Sequence, residues 1–511
     1  MCCMCREAGM NRRQFMGATA LGVTAAGLGL STAAGEEIDW NPERPYSISG
    51  ARLVVQPLLV AQLHNRREAT SWRPWGGLHD ESDIDDECNR IRNELKQLAA
   101  ESGGTVEILP LEQARDPEAA RRVRERSRYD VLLLYPASGS SEILEASVRE
   151  GIDTIVFLRH RSGPIYLWYE ILHNRFLRKG GGGFELDRYR NPGGVTVDDV
   201  AVDDPAELSW RLRALYGVKN FIGQRILALG GSGGWCFPEA PQVAKEKFNL
   251  DIVDVPYDDL AARISAARAD RRLSAAAGRW ADTYLRLPAT TLETSRPFLE
   301  RAFVLNAIFK QMMADVGTNA FTIQGCMSTV IPMAETTACL PLSLLNDEGQ
   351  MAFCESDFNV IPSGILLYYI ARKPVFLNDP TFPHDGLVTC AHCTAPRRMD
   401  GVRYAPARVM THFESDYGAT PKVDLPSGTQ VTMICPDSRQ VQWLGFTGRV
   451  IASPLYDICR SQYDITIDGD WGKLLRDHRG FHWMMAVGDF SRELAYGCRK
   501  TGIEWVNVSR A

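Results

Sequence analysis

Three runs of consecutive apolar residues constrain this chain most: Ala51–Val60, Tyr129–Tyr135 and Thr154–Leu158. A strand with one face in water alternates apolar and polar residues. These do not alternate, so each must be covered on both faces. Between them lie helical stretches. One starts in the acidic residues 80–87 and runs to about Glu101, with Ile91, Leu95 and Leu98 at helical spacing. A charged helix follows at 117–127 and a short one at 142–150, and Val106–Pro110 adds a strand. Strands that alternate with helices and are buried on both faces make a parallel sheet covered on both sides. Residues 45–178 therefore read as a flavodoxin-like or Rossmann-like α/β domain.

The same alternation restarts after residue 195. Gln224–Leu229 is a strand that enters the glycine run Gly230–Gly234, with a helix at 239–247, a strand at Asp251–Val255 and a helix at 258–268. The run lacks the G-x-G-x-x-G spacing of a dinucleotide site and reads as a tight strand–helix connection. The earlier run Gly180–Gly183 lacks the Lys-Ser/Thr ending of a phosphate loop and reads as a crossover between domains. A helix at Pro297–Ala314, with proline at its first position, leads to the strand Phe321–Gln324. This second α/β domain is placed at 195–400. After it, residues 403–415, 429–437, 441–452 and 463–467 are β-prone and separated by Gly, Pro and Asp turns. The fold class expected is thus α/β: two Rossmann-like parallel-sheet domains, then a β-rich, barrel-like domain at 401–511.

Charge and leader bound the partners. A net charge of −6 argues against a nucleic-acid binder, which would carry a basic face. Asn11-Arg12-Arg13-Gln14-Phe15-Met16 is a twin-arginine pattern, followed by the apolar run Gly17–Leu30 and the small residues Ser31–Gly35. Residues 1–35 read as a signal peptide handled by the twin-arginine export machinery, so the mature chain is expected in the periplasm or outside the cell. No later stretch is apolar enough over ~18 residues to span a membrane. The cysteines beyond the leader match no small disulfide scaffold. Cys390-Ala-His-Cys393 has no second pair at matching spacing and reads as buried strand thiols.

Acids and imidazoles gather in the C-terminal half. Cys354-Glu355-Ser356-Asp357 follows an apolar strand, and Glu355 and Asp357 share a direction if the segment is extended. Glu335 lies upstream, His392 beyond the next strand, His412 and Glu414 in Thr411–Asp416, and His482 ahead of a late apolar strand. Carboxylates with imidazoles suit Mn²⁺, Mg²⁺ or Co²⁺ better than a thiolate-bound zinc.

Six motifs occur in order: Leu344-Leu-Asn-Asp-Glu-Gly349, Cys354-Glu-Ser-Asp357, Arg372-Lys-Pro-Val-Phe-Leu-Asn-Asp-Pro380, Ala391-His-Cys-Thr-Ala-Pro396, His412-Phe-Glu-Ser-Asp416 and His482…Gly488-Asp489…Gly502-Ile-Glu504. In these the chain resembles the L-fucose isomerase and L-arabinose isomerase superfamily, over about residues 220–508 by motif and 50–175 by pattern. The resemblance implies two stacked α/β domains, a β-rich C-terminal domain and a homo-oligomer, a trimer or hexamer. It implies Mn²⁺ (or Mg²⁺ or Co²⁺) held by Glu335, Asp357 and His482, with Glu355, His392, His412 and Glu414 near a small sugar substrate. It further implies aldose–ketose isomerisation through an enediol, with Glu335 and Asp357 moving the proton. The expected function is an exported, metal-dependent carbohydrate enzyme of this kind. The alternative is a non-catalytic carbohydrate-binding protein on the same fold.

Overall fold

The apolar runs form buried strands in the computed structural model, which describes residues 39–509 apart from Ser127 and most of the segment 168–193. The leader and the glycine run at 180–183 lie outside the described residues. The chain divides into two units. One holds Arg52–Arg213; the other holds Ala214 onward together with the stretch that ends at Ala51.

The first unit is built on one parallel sheet. Its strands are β1 (Leu53–Val60), β2 (Val106–Ile108), β3 (Glu112–Ala114), β4 (Val131–Pro136), β5 (Asp153–Leu158) and β6 (Val200–Val202). The order is β2-β1-β4-β5-β6, with β3 also pairing to β1. β2 runs beside Leu53–Val55 and β3 beside Leu58–Val60, so together they act as one broken edge strand. Counted that way, the order is that of flavodoxin-like sheets. All six residues of the central β4 are buried, as its unbroken apolar sequence requires.

Arg159, directly after β5, is fully buried. Its guanidinium meets Glu87 Oε1 at 2.5 Å and both carboxylate oxygens of Glu94 at 3.0 and 2.6 Å. Tyr166 donates to the same Glu87 oxygen at 2.6 Å. Burying charge is costly unless every charged atom finds a partner, and here the two carboxylates and the phenol surround the cation.

The second unit joins a parallel sheet to a barrel. Its sheet holds β7 (Arg225–Leu229), β8 (Asp251–Val255), β10 (Ala320–Ile323) and β11 (Met351–Cys354), in the order β11-β10-β7-β8; the short β9 (Thr290–Glu293) pairs elsewhere. Leu227, Leu229, Phe321 and Ile323 pack against Leu260, Leu305, Phe309 and Leu342 from the surrounding helices. Between β7 and β10 the connections leave in opposite directions, so this is the sheet's topological switch point.

The barrel strands are β12 (Phe376–Pro380), β13 (Leu387–His392), β16 (Gln430–Pro436), β17 (Gln442–Ala452), β18 (Ser461–Thr466) and β19 (Trp483–Val487). They pair antiparallel in the cycle β16-β19-β12-β13-β18-β17, and β16 pairs back to β17, which closes the barrel. β20 (Glu504–Asn507) adds to β17 in parallel. β14 (Ala407–His412) lies between β15 (Tyr417–Val423) and β9 in a separate small sheet. Every second residue of the barrel strands fills the interior: Val431, Met433 and Cys435; Leu444 and Phe446; Tyr463 and Ile465; Trp483 and Met485.

The barrel takes its first two strands from residues ahead of 401, the boundary expected from sequence. The reason is that β12 is entered by the unbroken apolar run Pro374–Leu377, which reads like a parallel strand. Its neighbour β19 is covered outside by the fully buried helix Ile361–Ala371, where a side chain at Gly364 would run into Met484.

The buried cation generates a test. Arg159→Ala leaves Glu94 without this counter-charge and Glu87 with only the half-exposed Arg90 at 3.2 Å, an effect on the order of 3 kcal/mol. Urea denaturation followed by circular dichroism should show that loss, while Glu107→Ala on the exposed side of β2 stays within about 0.5 kcal/mol.

Candidate functional site

The site lies where the carboxyl ends of the parallel sheet meet the barrel rim. Asp379 is on β12, His392 ends β13 and His482 directly precedes β19. The register sets them together: Asp379 lies opposite Ala391, and Asn378 opposite Trp483. Neighbouring strands therefore bring Asp379 between the two histidines. Glu355 comes from the other side, one residue past β11.

The Glu355 loop is a turn rather than extended chain. Glu355 and Ser356 both sit in the left-handed region, with φ of 68° and 48°. The expected shared direction of Glu355 and Asp357 is thereby lost: Glu355 lines the cavity, and Asp357 turns under it and is fully buried. One Asp357 oxygen accepts from the Asn359 amide group at 2.7 Å, the Asn359 backbone at 3.1 Å and the Trp235 backbone at 3.2 Å. The other takes Nδ1 of His482 at 2.8 Å. The glycine run is what brings the Trp235 N–H so close. Gly233 pairs with the backbone of Ser356 and Phe358, and a side chain at Gly234 would strike Phe237, Ala240 and Asn359. The run is thus the strand–helix connection expected, with a second task of holding Asp357.

With Nδ1 engaged, His482 presents Nε2 to Asp379 Oδ1 at 3.2 Å and to Glu355 Oε2 at 3.4 Å. His392 presents Nε2 to Glu355 Oε1 at 3.6 Å. None of Glu355 Oε2, Asp379 Oδ1, His392 Nε2 and His482 Nε2 has a hydrogen-bond partner, and all four are buried. Asp379, His392 and His482 each offer a donor atom within 4.8 Å of the others, as do Cys354, Glu355 and His392. Buried polar atoms without partners are rare enough to need a reason. Two carboxylates and two imidazoles converging in this way can hold a divalent cation.

The electrostatics follow from the same contacts. Burial works against an ionised Glu355, but His392 and His482 outweigh it and hold the carboxyl well below its ordinary range. Burial likewise works against charged imidazoles, yet Glu355 and Asp379 push His392 up to about 10, and Asp357 and Glu355 push His482 up to about 9. Burial raises Asp379, against the pull of the two histidines.

Glu355, Asp379 and His392 wall a cavity of about 490 Å³, with His482 directly behind Glu355 and Asp379. Trp235 and Phe481 stack at its edge with ring centroids 4.9 Å apart and planes 8° apart, both largely exposed. His412 and Glu414 line it as well; His412 Nδ1 lies 3.2 Å from the Ser415 hydroxyl. Glu355, His392, His412, Glu414 and His482 are thus brought together. Glu335, Asp357 and His482 are not in the lining, although His482 touches it through Glu355 and Asp379. Glu335 caps the helix Cys326–Ala334 with φ of 50° and pairs with Arg268 at 2.9 Å and Arg301 at 3.2 Å, half exposed. It faces solvent cations because the helix ends there, leaving its side chain outside the sheet. Asp379 stands in a motif read from sequence without being given a role; its place at the end of an apolar strand was the available signal.

The raised imidazoles predict a pH effect. In chelator-treated protein, their pairing with acids contributes stability that is fully present below about 6.5. It is lost as pH rises through about 9 and about 10. Glu355→Gln should bring both titrations down, read from the imidazole proton resonances; unchanged titrations would show that the carboxylate does not face the rings. Among known proteins, no family model matches the chain, and no curated protein matches it.

Proposed function

We propose that this cavity is the active site of a divalent-metal-dependent enzyme that interconverts an aldose and a ketose. The observation that carries the reading is the convergence of buried, unpartnered donor atoms from Asp379, His392 and His482, with Glu355 facing both imidazoles. Asp379, His392 and His482 are the ligands, with Glu355 beside them. Oxygen and imidazole donors of this kind favour Mn²⁺, Mg²⁺ or Co²⁺. The reaction class comes from the resemblance of the six sequence motifs to the L-fucose and L-arabinose isomerases.

Each residue has a task under this reading. Asp357 accepts a hydrogen bond from the Nδ1–H of His482, leaving Nε2 to face Glu355 and Asp379. A bound cation would polarise a sugar carbonyl and order its neighbouring oxygen. Glu355 and Asp379, on either side of His482 Nε2, are the carboxylates placed to take a proton from one carbon and return it to the next through an enediol. His412 is placed to hold a sugar hydroxyl. The stacked Trp235 and Phe481 offer an apolar face at the edge and limit water access. Glu335 and Asp357, first expected as the ligand and proton-transfer pair, act as a surface ion pair and as the support for His482. Export of the folded, metal-loaded enzyme by the twin-arginine route and assembly as a homo-oligomer belong to the same proposal.

Two experiments decide it. Calorimetric Mn²⁺ titration should show binding that Asp379→Asn and His482→Ala abolish and that Asp357→Asn weakens about 10–100-fold. Glu335→Gln should bind as the unaltered chain does; equal damage from Glu335→Gln and Asp379→Asn would overturn the ligand set. In ²H₂O, aldopentoses and aldohexoses incubated with the Mn²⁺-loaded enzyme should gain deuterium at C1 or C2. Metal binding without any exchange across the panel would leave sugar binding without catalysis.

A further inference from the structure

Four helices of the second unit, Tyr257–Ala269, Arg271–Leu285, Arg296–Val316 and Cys326–Ala334, leave a hollow of about 220 Å³ between them. It shares no lining residue with the metal cavity. Ile264, Ala267, Val304, Leu305, Ile308 and Ala334 form its apolar surface, all but Val304 buried. Packed interiors leave few voids larger than a water molecule. An apolar cavity of ~150 Å³ already takes a six-carbon ring. This hollow is larger, so an apolar group of about six to eight carbons fits it.

Charge enters through two lining residues, Arg268 and Arg301, both about half exposed. No carboxylate, imidazole or thiol lines the hollow, so it is built to bind and not to react. One acid outside the lining holds the two cations. Glu335 meets Nη2 of Arg268 at 2.9 Å and Nη2 of Arg301 at 3.2 Å. The carbonyl of Met333 accepts from Arg268 at 3.0 Å, and that of Glu335 accepts from Arg301 at 3.2 Å. A helix that ends in the left-handed region favours Gly or Asn at that position. Here a Glu adopts it, with φ of 50°, and its side chain bridges the guanidiniums. One acid against two cations leaves a single positive charge beside an apolar hollow. A guanidinium has five N–H donors. Among the described residues only Nη2 of Arg268 finds acceptors, so its Nε and Nη1 groups keep theirs available.

We propose that this hollow is a binding site for a medium-chain carboxylate, whose tail fills the space between the helices and whose head pairs with Arg268 and Arg301. The single excess charge matches a monoanion, and the planar guanidinium fork matches a carboxylate.

The test uses the full chain, chelator-treated, with sodium octanoate as the probe and octan-1-ol as its uncharged match, both followed by titration calorimetry. Octanoate should bind once per chain, about tenfold or more tighter than octan-1-ol. Arg268→Gln and Arg301→Gln should each weaken octanoate about tenfold or more and leave octan-1-ol unchanged. Glu335→Gln, which removes the competing acid, should tighten octanoate by up to about fivefold. Ala267→Phe, which fills the hollow, should abolish binding of both probes. The arginine and Glu335 variants sit at exposed side chains, so they keep the proposal falsifiable where the buried one fails to fold. Octanoate binding no tighter than octan-1-ol, binding that neither arginine substitution weakens, or no binding at all would overturn it. The experiment needs neither metal nor sugar, so failure of the isomerase reading leaves its result unaffected.

Discussion

The hydrogen bond between Asp357 and His482, 2.8 Å long and fully buried, is the contact on which the cavity depends. It ties the loop after β11 of the parallel sheet to the residue that opens β19 of the barrel. Asp357 cannot make it alone. Its second oxygen is held by three N–H groups, two from Asn359 and one from Trp235. A carboxylate held at both oxygens is fixed in place. It in turn fixes the ring of His482, so a single buried acid decides where Nε2 points.

That arrangement needs a strained turn. Glu355 and Ser356 are consecutive non-glycine residues in the left-handed region, a conformation that costs on the order of 1–3 kcal/mol each. Extended chain would have sent both acids to the same side. The turn separates them, one carboxylate into the cavity and one beneath it. The backbone bonds from Gly233 to Ser356 and from Phe358 to Gly233 hold it. The glycine run is required for close approach of two main chains, and no phosphate need be invoked to explain it.

These facts explain what was legible in the sequence. Unbroken apolar runs report burial on both faces, so β1, β4 and β5 and the parallel sheets could be read directly. The barrel's later strands alternate, and they too were visible as β-prone segments. β12 was not assigned to the barrel, because the run Pro374–Leu377 that opens it is as unbroken as a parallel strand. Within the site, residue type marked Glu355, His392, His412, Glu414 and His482. The roles of Asp357 and Asp379 depend on quantities that spacing does not encode: the sign of φ at 355 and 356, and the antiparallel register that sets Asp379 opposite Ala391. Glu335 was drawn in by its position in sequence, and a helix end turns it to Arg268 and Arg301.

The position of the cavity follows from topology before chemistry. In an open parallel sheet the connections on either side of the switch point leave in opposite directions and cannot fill the space between them. Here the loops after β7, β10 and β11 supply Gly234 and Trp235, Gln324 and Gly325, and Cys354 and Glu355, all of which line that gap. The barrel rim closes it with Asp379, His392 and Phe481. Oxygen and nitrogen donors from the rim and the β11 loop converge there, and the thiol of Cys354 lies within 4.8 Å of Glu355 and His392. A hard cation prefers the oxygen and nitrogen donors and gains little from the sulfur, so the register of the rim strands, which sets Asp379 between the two histidines, decides where such a cation can sit.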